Sequence, residues 1–209
     1  MSLSDSIRDK IIDAATVEFS RYGFGAVDFE QIAQMAGIPA SDVVSVFGTK
    51  EDLASAVIDK MHEVITVPKV MPVDAIDSDQ VWRAELKSFV LQFLELFDWH
   101  KKPNCYFAGL YRFEAARADG KRCSLHNTCL MPMFFKLEEL IALGVKDRDP
   151  MQARFWSIAL WSVLLNYMLK EPSRINTYIP EIIGRADFSV LALDFMLNTL
   201  IAPLHYQRG

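Results

Sequence analysis

Apolar residues recur along this chain every three or four positions, the spacing of one helix face. Ile7, Ile11, Ala15, Phe19 and Tyr22 form such a stripe and predict a first helix from about Ser4 to Tyr22. Gly23 stands where a C-terminal cap belongs. Asp28, with Gln31 three residues on, has the form of a capping box and opens a second helix, stopped after Ala36 by Gly37. A third helix is predicted over about Ala40 to Phe47. Thr49 and Asp52 repeat the capping pattern and open a fourth, carried to about Ile65 by Leu53, Val57 and Met61. Pro68 and Pro72 then interrupt the pattern, so residues 66–77 read as a linker.

The pattern resumes with longer helices. Trp82, Leu86, Phe89, Phe93 and Phe97 share one face of a fifth, from about Ser78 to His100. Pro103 and Asn104 open a sixth that closes by Gly120. A seventh covers about Cys123 to Leu143, with a bend expected at Pro132. Asp149, Pro150 and Gln152 supply a cap, a proline at the first helical position and a capping-box partner for an eighth, to about Lys170. Residues 171–186 read as irregular or as one short helix, and Asp187 caps a ninth that ends near Leu204. No stretch alternates in the manner of a hairpin. The expectation is an all-α chain of about nine helices in two parts. Residues 1–65 would form an N-terminal three-helix helix-turn-helix domain together with its connecting helix. Residues 78–209 would form a C-terminal helical ligand-binding and dimerisation domain.

The segment from Phe29 to Phe47 carries the most information. Two short helices must cross steeply around a brief turn. Ala33 is small where the partner helix approaches, Gly37 suits the turn, and Ile32, Ile38, Val43 and Phe47 suit a shared small core. Ala40, Ser41, Asp42, Val44 and Ser45 are left on the outer, N-terminal part of the second of these helices, from which a recognition helix reaches base edges.

On these residues the chain resembles the tetracycline-repressor (TetR) family. The matching features are Phe19-Ser-Arg-Tyr-Gly23, Ile32-Ala33, Ala36-Gly37-Ile38 and Phe47-Gly-Thr-Lys50-Glu-Asp-Leu53. The resemblance spans residues 7–58; beyond it the chain matches in length and helix number. It implies a dimeric transcriptional regulator, expected to be a repressor, that binds a palindromic double-stranded DNA operator and answers to a small-molecule effector. It also implies that Lys50 contacts a DNA phosphate. A lysine beside the free N–H groups of a helix start makes a two-part anion site, which agrees with that role.

Charge complicates this picture. The net charge is −5. In residues 1–65 acidic side chains outnumber the basic Arg8, Lys10, Arg21, Lys50 and Lys60. A DNA-reading surface is expected to be basic. The family commonly places tyrosine where Val44 stands and histidine or tyrosine where Val46 stands, and its second helix often opens with basic, threonine-containing sequence where this chain has Asp28-Phe-Glu30. Three readings stay open. DNA affinity rests on Lys50, Ser41, Ser45 and backbone amides, with Glu30 or Asp42 accepting from a cytosine amino group. Alternatively binding needs an activated state or a second protein. Or the chain is a TetR-like ligand sensor or interaction protein with weakened or lost DNA binding.

In the second half, the eighth and ninth helices are apolar on more than one face, and a second apolar face needs a second partner. Pairing with their copies would make a homodimer. The fifth to eighth helices are rich in aromatic residues, and an apolar effector pocket is expected among them from Phe89, Phe93, Tyr111, His126, Phe134, Trp161 and Asn166. The longest nearly apolar run, Phe155 to Leu169, is 15 residues, short of the roughly 20 that span a bilayer. Three cysteines in no regular framework point to a reducing, cytoplasmic setting. No motif suggests catalysis, a cofactor or a metal site, so none is expected. Residues 100–122 are locally basic and suit either a solvated face or a charged contact with the first and fourth helices.

Overall fold

A computed structural model describes residues 3–97, 104–115, 125–145, 147, 149–169, 198, 199 and 204–206. Among these there are eight α-helices and no strand. They are α1 (Leu3–Tyr22), α2 (Phe29–Ala36), α3 (Ala40–Phe47), α4 (Lys50–Val64), α5 (Asp79–Leu96), α6 (Asn104–Ala115), α7 (Met131–Ala142) and α8 (Pro150–Leu169). One short 3-10 turn, Val73–Ala75, interrupts the expected linker. The ninth helix, expected from Asp187, lies almost entirely outside the described residues, as do the basic residues of 100–122 other than Arg112.

The helix ends follow local chemistry. The Asp28 carboxylate accepts from the Gln31 amide at 2.8 Å, and the Gln31 side chain accepts from the Asp28 amide at 2.8 Å, a complete capping box. At α4 the Thr49 hydroxyl accepts from the Asp52 amide at 3.1 Å, but the Asp52 carboxylate takes the Thr49 hydroxyl rather than its amide, so the box is half made. Asp149 opens α8 by accepting the Met151 amide at 2.9 Å.

Two elements differ from expectation. Tyr22, expected on the buried stripe of α1, is 57% exposed; Gly23 turns the chain at φ 83°, and Phe24 packs on Phe19 instead, with ring centres 5.6 Å apart. In the seventh helix the departure from regular geometry lies before Pro132. A π turn, His126–Leu130, precedes α7, and Pro132 stands in the first turn of α7. Proline has no amide to return to the turn before it, so the ladder widens there and restarts beyond.

The chain folds into two compact units, Met1–Thr66 with Trp99–Cys129, and Val67–Asp98 with Leu130–Gly209. In the first, α1 packs on α2, α4 and α6. Ile11, Ala15, Phe19, Ile32, Val43, Leu53, Val57 and Met61 are its buried apolar centre. Where α6 crosses α1, Gly109 lies so close to the Ser20 carbonyl that a methyl group there would overlap backbone. A Lys60–Asp13 ion pair at 2.7 Å ties α4 to α1, and Thr128 in the π turn shares a 2.6 Å hydrogen bond with His62 near the end of α4.

In the second unit, α5, α7 and α8 pack around Trp82, Leu86, Phe89, Phe93, Leu137 and Leu164, all fully buried. The Trp82 indole donates to the Leu140 carbonyl at 2.7 Å, so its one polar group is satisfied in the core. Residues 204–206 clasp the start of α5. Arg83 donates to the Leu204 carbonyl, the Asp79 carboxylate accepts the Tyr206 amide at 2.9 Å, and the Tyr206 hydroxyl donates to the Ile76 carbonyl.

Candidate nucleic-acid interface

The turn between α2 and α3 is built from its backbone outward. Gly37 is left-handed at φ 68°, ψ 37°. The Gly37 amide donates to Gln34 and the Ile38 amide to Ala33, the paired bonds of a Schellman cap. Only the backbone angle demands glycine here, since space for a side chain is open. Pro39 then fixes an extended residue before α3, and the first amide of that helix to find a partner is Asp42, bonded to the Pro39 carbonyl. Ile32, Ala33 and Val43 close the crossing, each at most 3% exposed, and Phe47 seals its far end at 8%.

This leaves a defined outer surface. Ser41, Val44 and Ser45, spaced three and four apart, are exposed on one face of α3. Val44 is 49% exposed and Val46, to one side, 40%. Ala40 and Asp42 are half-buried, and Glu30 is exposed in the first turn of α2. Of the residues singled out in the sequence, Ser41, Val44 and Ser45 thus share a face, while Asp42 and Ala40 sit beside it.

Lys50, at the first position of α4, has a geometry that its sequence position did not suggest. Its ammonium donates to the Val27 carbonyl at 2.7 Å and lies 4.6 Å from the centre of the Phe24 ring. It therefore ties the loop between α1 and α2 to the start of α4, with two N–H donors beyond the bond to Val27. A second cation was missed by sequence reasoning. Arg8 on α1 lies over the ring of Phe47, the last residue of α3, at 5.0 Å. A pair 39 residues apart leaves no periodic trace in the sequence.

The expected effector residues fall in both units. In the second, Trp161 joins the Phe93 ring at 5.5 Å and the Phe134 ring at 5.7 Å, both edge-on. Phe89 is fully buried one turn before Phe93. Asn166 is exposed, donates to the Ser162 carbonyl at 3.2 Å, and is not brought to that aromatic cluster. In the first unit, the Tyr111 hydroxyl lies 3.3 Å from His126 Nδ1, and the Phe107 and Tyr111 rings are nearly parallel at 6.3 Å. Among the described residues no group of three or more His, Cys, Asp or Glu is arranged to hold a metal. Nor is any helix among them long and apolar enough to cross a membrane.

Residues 11–57 match the family model of bacterial regulatory proteins, tetR family. No curated protein matches by sequence. Solved structures share the fold at low identity. A transcriptional regulator from Rhodococcus sp. Rha1 is 14% identical with a TM-score of 0.63, over 96% of this chain and 99% of that one. NalD, the secondary repressor of the MexAB-OprM multidrug efflux pump in Pseudomonas aeruginosa, is 18% identical with a TM-score of 0.58, over the whole of both chains. SmeT in its complex with triclosan is 15% identical with a TM-score of 0.53, over 98% and 93%. Residues 11–57 are thus similar to the tetR family of bacterial regulatory proteins, and the chain shares its fold with solved transcriptional regulators.

Proposed function

We propose that this protein is a ligand-responsive regulator that binds duplex DNA through α3 and releases it when a small, largely apolar molecule is bound. The observation that carries the reading is the outer face of α3. A fully capped turn holds Ser41, Val44 and Ser45 exposed together on the second helix of a TetR-type module. Lys50 serves twice in this reading: one N–H holds the Val27 carbonyl and the others reach a phosphate beside the first turn of α4. Glu30 and Asp42 border the contact and accept from a cytosine amino group where one is in reach.

Two copies act together. On α8, Met151, Phe155 and Ile158 form an apolar stripe, 76%, 69% and 51% exposed, opposite the buried face of Ala153, Ser157, Leu160 and Leu164. Pairing of this stripe with a second copy removes it from water, and a symmetric dimer sets two recognition helices on a palindromic operator. The effector site is assigned to the aromatic cluster of Phe89, Phe93, Phe134 and Trp161 in the second unit. The neighbouring fold of SmeT with triclosan supports a ligand of this character, and NalD supports repression as the outcome. The ligand acts only through its different affinities for the DNA-competent and DNA-incompetent states.

The shortage of cations in residues 1–65 favours a second reading, a sensor that no longer reads DNA. Selection of binding sites from fragmented genomic DNA by the purified protein separates the two. Enrichment of one palindromic motif is expected; recovery of no motif at low salt supports the second reading.

A further inference from the structure

If α3 is the reading helix, its chemistry restricts what it reads. The helix is Ala-Ser-Asp-Val-Val-Ser-Val-Phe and holds no arginine, lysine, asparagine or glutamine. The side chains that make two-point hydrogen bonds to guanine or adenine in the major groove are therefore missing from it. Its hydroxyls, Ser41 and Ser45, serve either donor or acceptor and discriminate weakly. Beside them on the same face stands Val44, 49% exposed. An isopropyl group makes no hydrogen bond, and the one apolar feature of the major-groove floor is the thymine C5-methyl.

We propose that Val44 is a specificity-determining residue that reads thymine C5-methyl groups, so that each operator half-site contains a thymine recognised by shape and apolar contact and not by hydrogen bonding. This rests on the DNA-binding reading above. The neighbouring charges agree with it: Asp42 and Glu30 repel phosphate oxygens, which leaves apolar burial to supply selectivity where ionic contact is weak. Removing one contacted methyl should weaken binding roughly four-fold, the effect of exposing one buried methyl-sized group.

The test uses the full-length protein and the motif obtained by site selection. Each thymine is replaced in turn by deoxyuridine, which removes only the methyl group, and binding is followed by fluorescence anisotropy. A loss of roughly four-fold is expected at one thymine per half-site and at no other. Val44→Ala should bind the thymine and deoxyuridine duplexes within two-fold of one another, with an unchanged circular dichroism spectrum. If every deoxyuridine duplex binds the unaltered protein as the thymine duplex does, while a scrambled duplex binds weakly, Val44 does not read thymine and DNA recognition itself stands. If no duplex is preferred over scrambled DNA, the DNA-binding reading fails and this inference with it. The scan on unaltered protein decides the matter even where the Val44 variant folds poorly.

Discussion

Replacing Lys50 with methionine isolates its ammonium, because the apolar stem is kept. Two interactions are lost: a charged hydrogen bond to the Val27 carbonyl at 2.7 Å and the contact of the ammonium with the Phe24 ring at 4.6 Å. The lysine is half-buried, which places the hydrogen bond near the low end of its range, about 1–1.5 kcal/mol. The ring contact adds about 0.5–1 kcal/mol. The Val27 residue is 1% exposed, so its carbonyl finds water only by local opening. Together the loss is about 2 kcal/mol, a fall in Tm of roughly 4–8 °C for a chain of this size. The DNA role makes a separate prediction. Each phosphate contact contributes about 0.9 to the slope of log K against log salt, so two Lys50 side chains in a dimer contribute roughly 1.8. Scanning calorimetry and a salt titration of operator binding measure the two effects independently. An unchanged Tm would refute the tie between loop and helix. A salt slope unchanged in Lys50→Met would refute the phosphate contact.

Other substitutions probe other parts of the molecule. Gly109→Ala forces a methyl against the Ser20 backbone and should cost about 1–3 kcal/mol by separating α6 from α1, read by urea denaturation. Phe155→Glu places a charge in the apolar stripe of α8 and should shift the sedimentation equilibrium of micromolar protein from dimer to monomer with little change in helix content. The Tyr206 amide, and then Arg83, hold the Asp79 carboxyl below its ordinary value of 3.8. A depressed carboxyl stabilises the folded state above the unfolded value and loses that contribution as pH falls through the folded one. The clasp of residues 204–206 should therefore hold at pH 5 and loosen below pH 3.8, seen as a shift of the Tyr206 amide resonance that Asp79→Ala shows already at neutral pH.

Much of the fold was legible in the sequence because its signals are local. Asp28 with Gln31, Gly37 after Ala36, and Pro150 after Asp149 each act within four residues, and the helices they bound lie where the spacing put them. Tyr22 and the π turn were not legible, since each depends on a neighbour out of pattern: Phe24 displaces Tyr22 from Phe19, and Pro132 disturbs the turn before it. At the candidate interface, the exposed face of Ser41, Val44 and Ser45 follows from helical spacing alone. The partners of Lys50 and Arg8 do not, because Val27, Phe24 and Phe47 approach them only once four helices have packed. For the effector residues, spacing grouped aromatics by helix but could not tell which rings meet. Phe93, Phe134 and Trp161 do; Asn166 turns to solvent.

The central claim is that an acidic TetR-type module still reads DNA. The most direct measurement is the ratio of dissociation constants for the selected motif and for a scrambled duplex, taken with purified protein at 150 mM salt. The expected result is a ratio of at least about 10³, the lower bound for specific recognition. A ratio near one, with weak binding that vanishes as salt is raised, would contradict it.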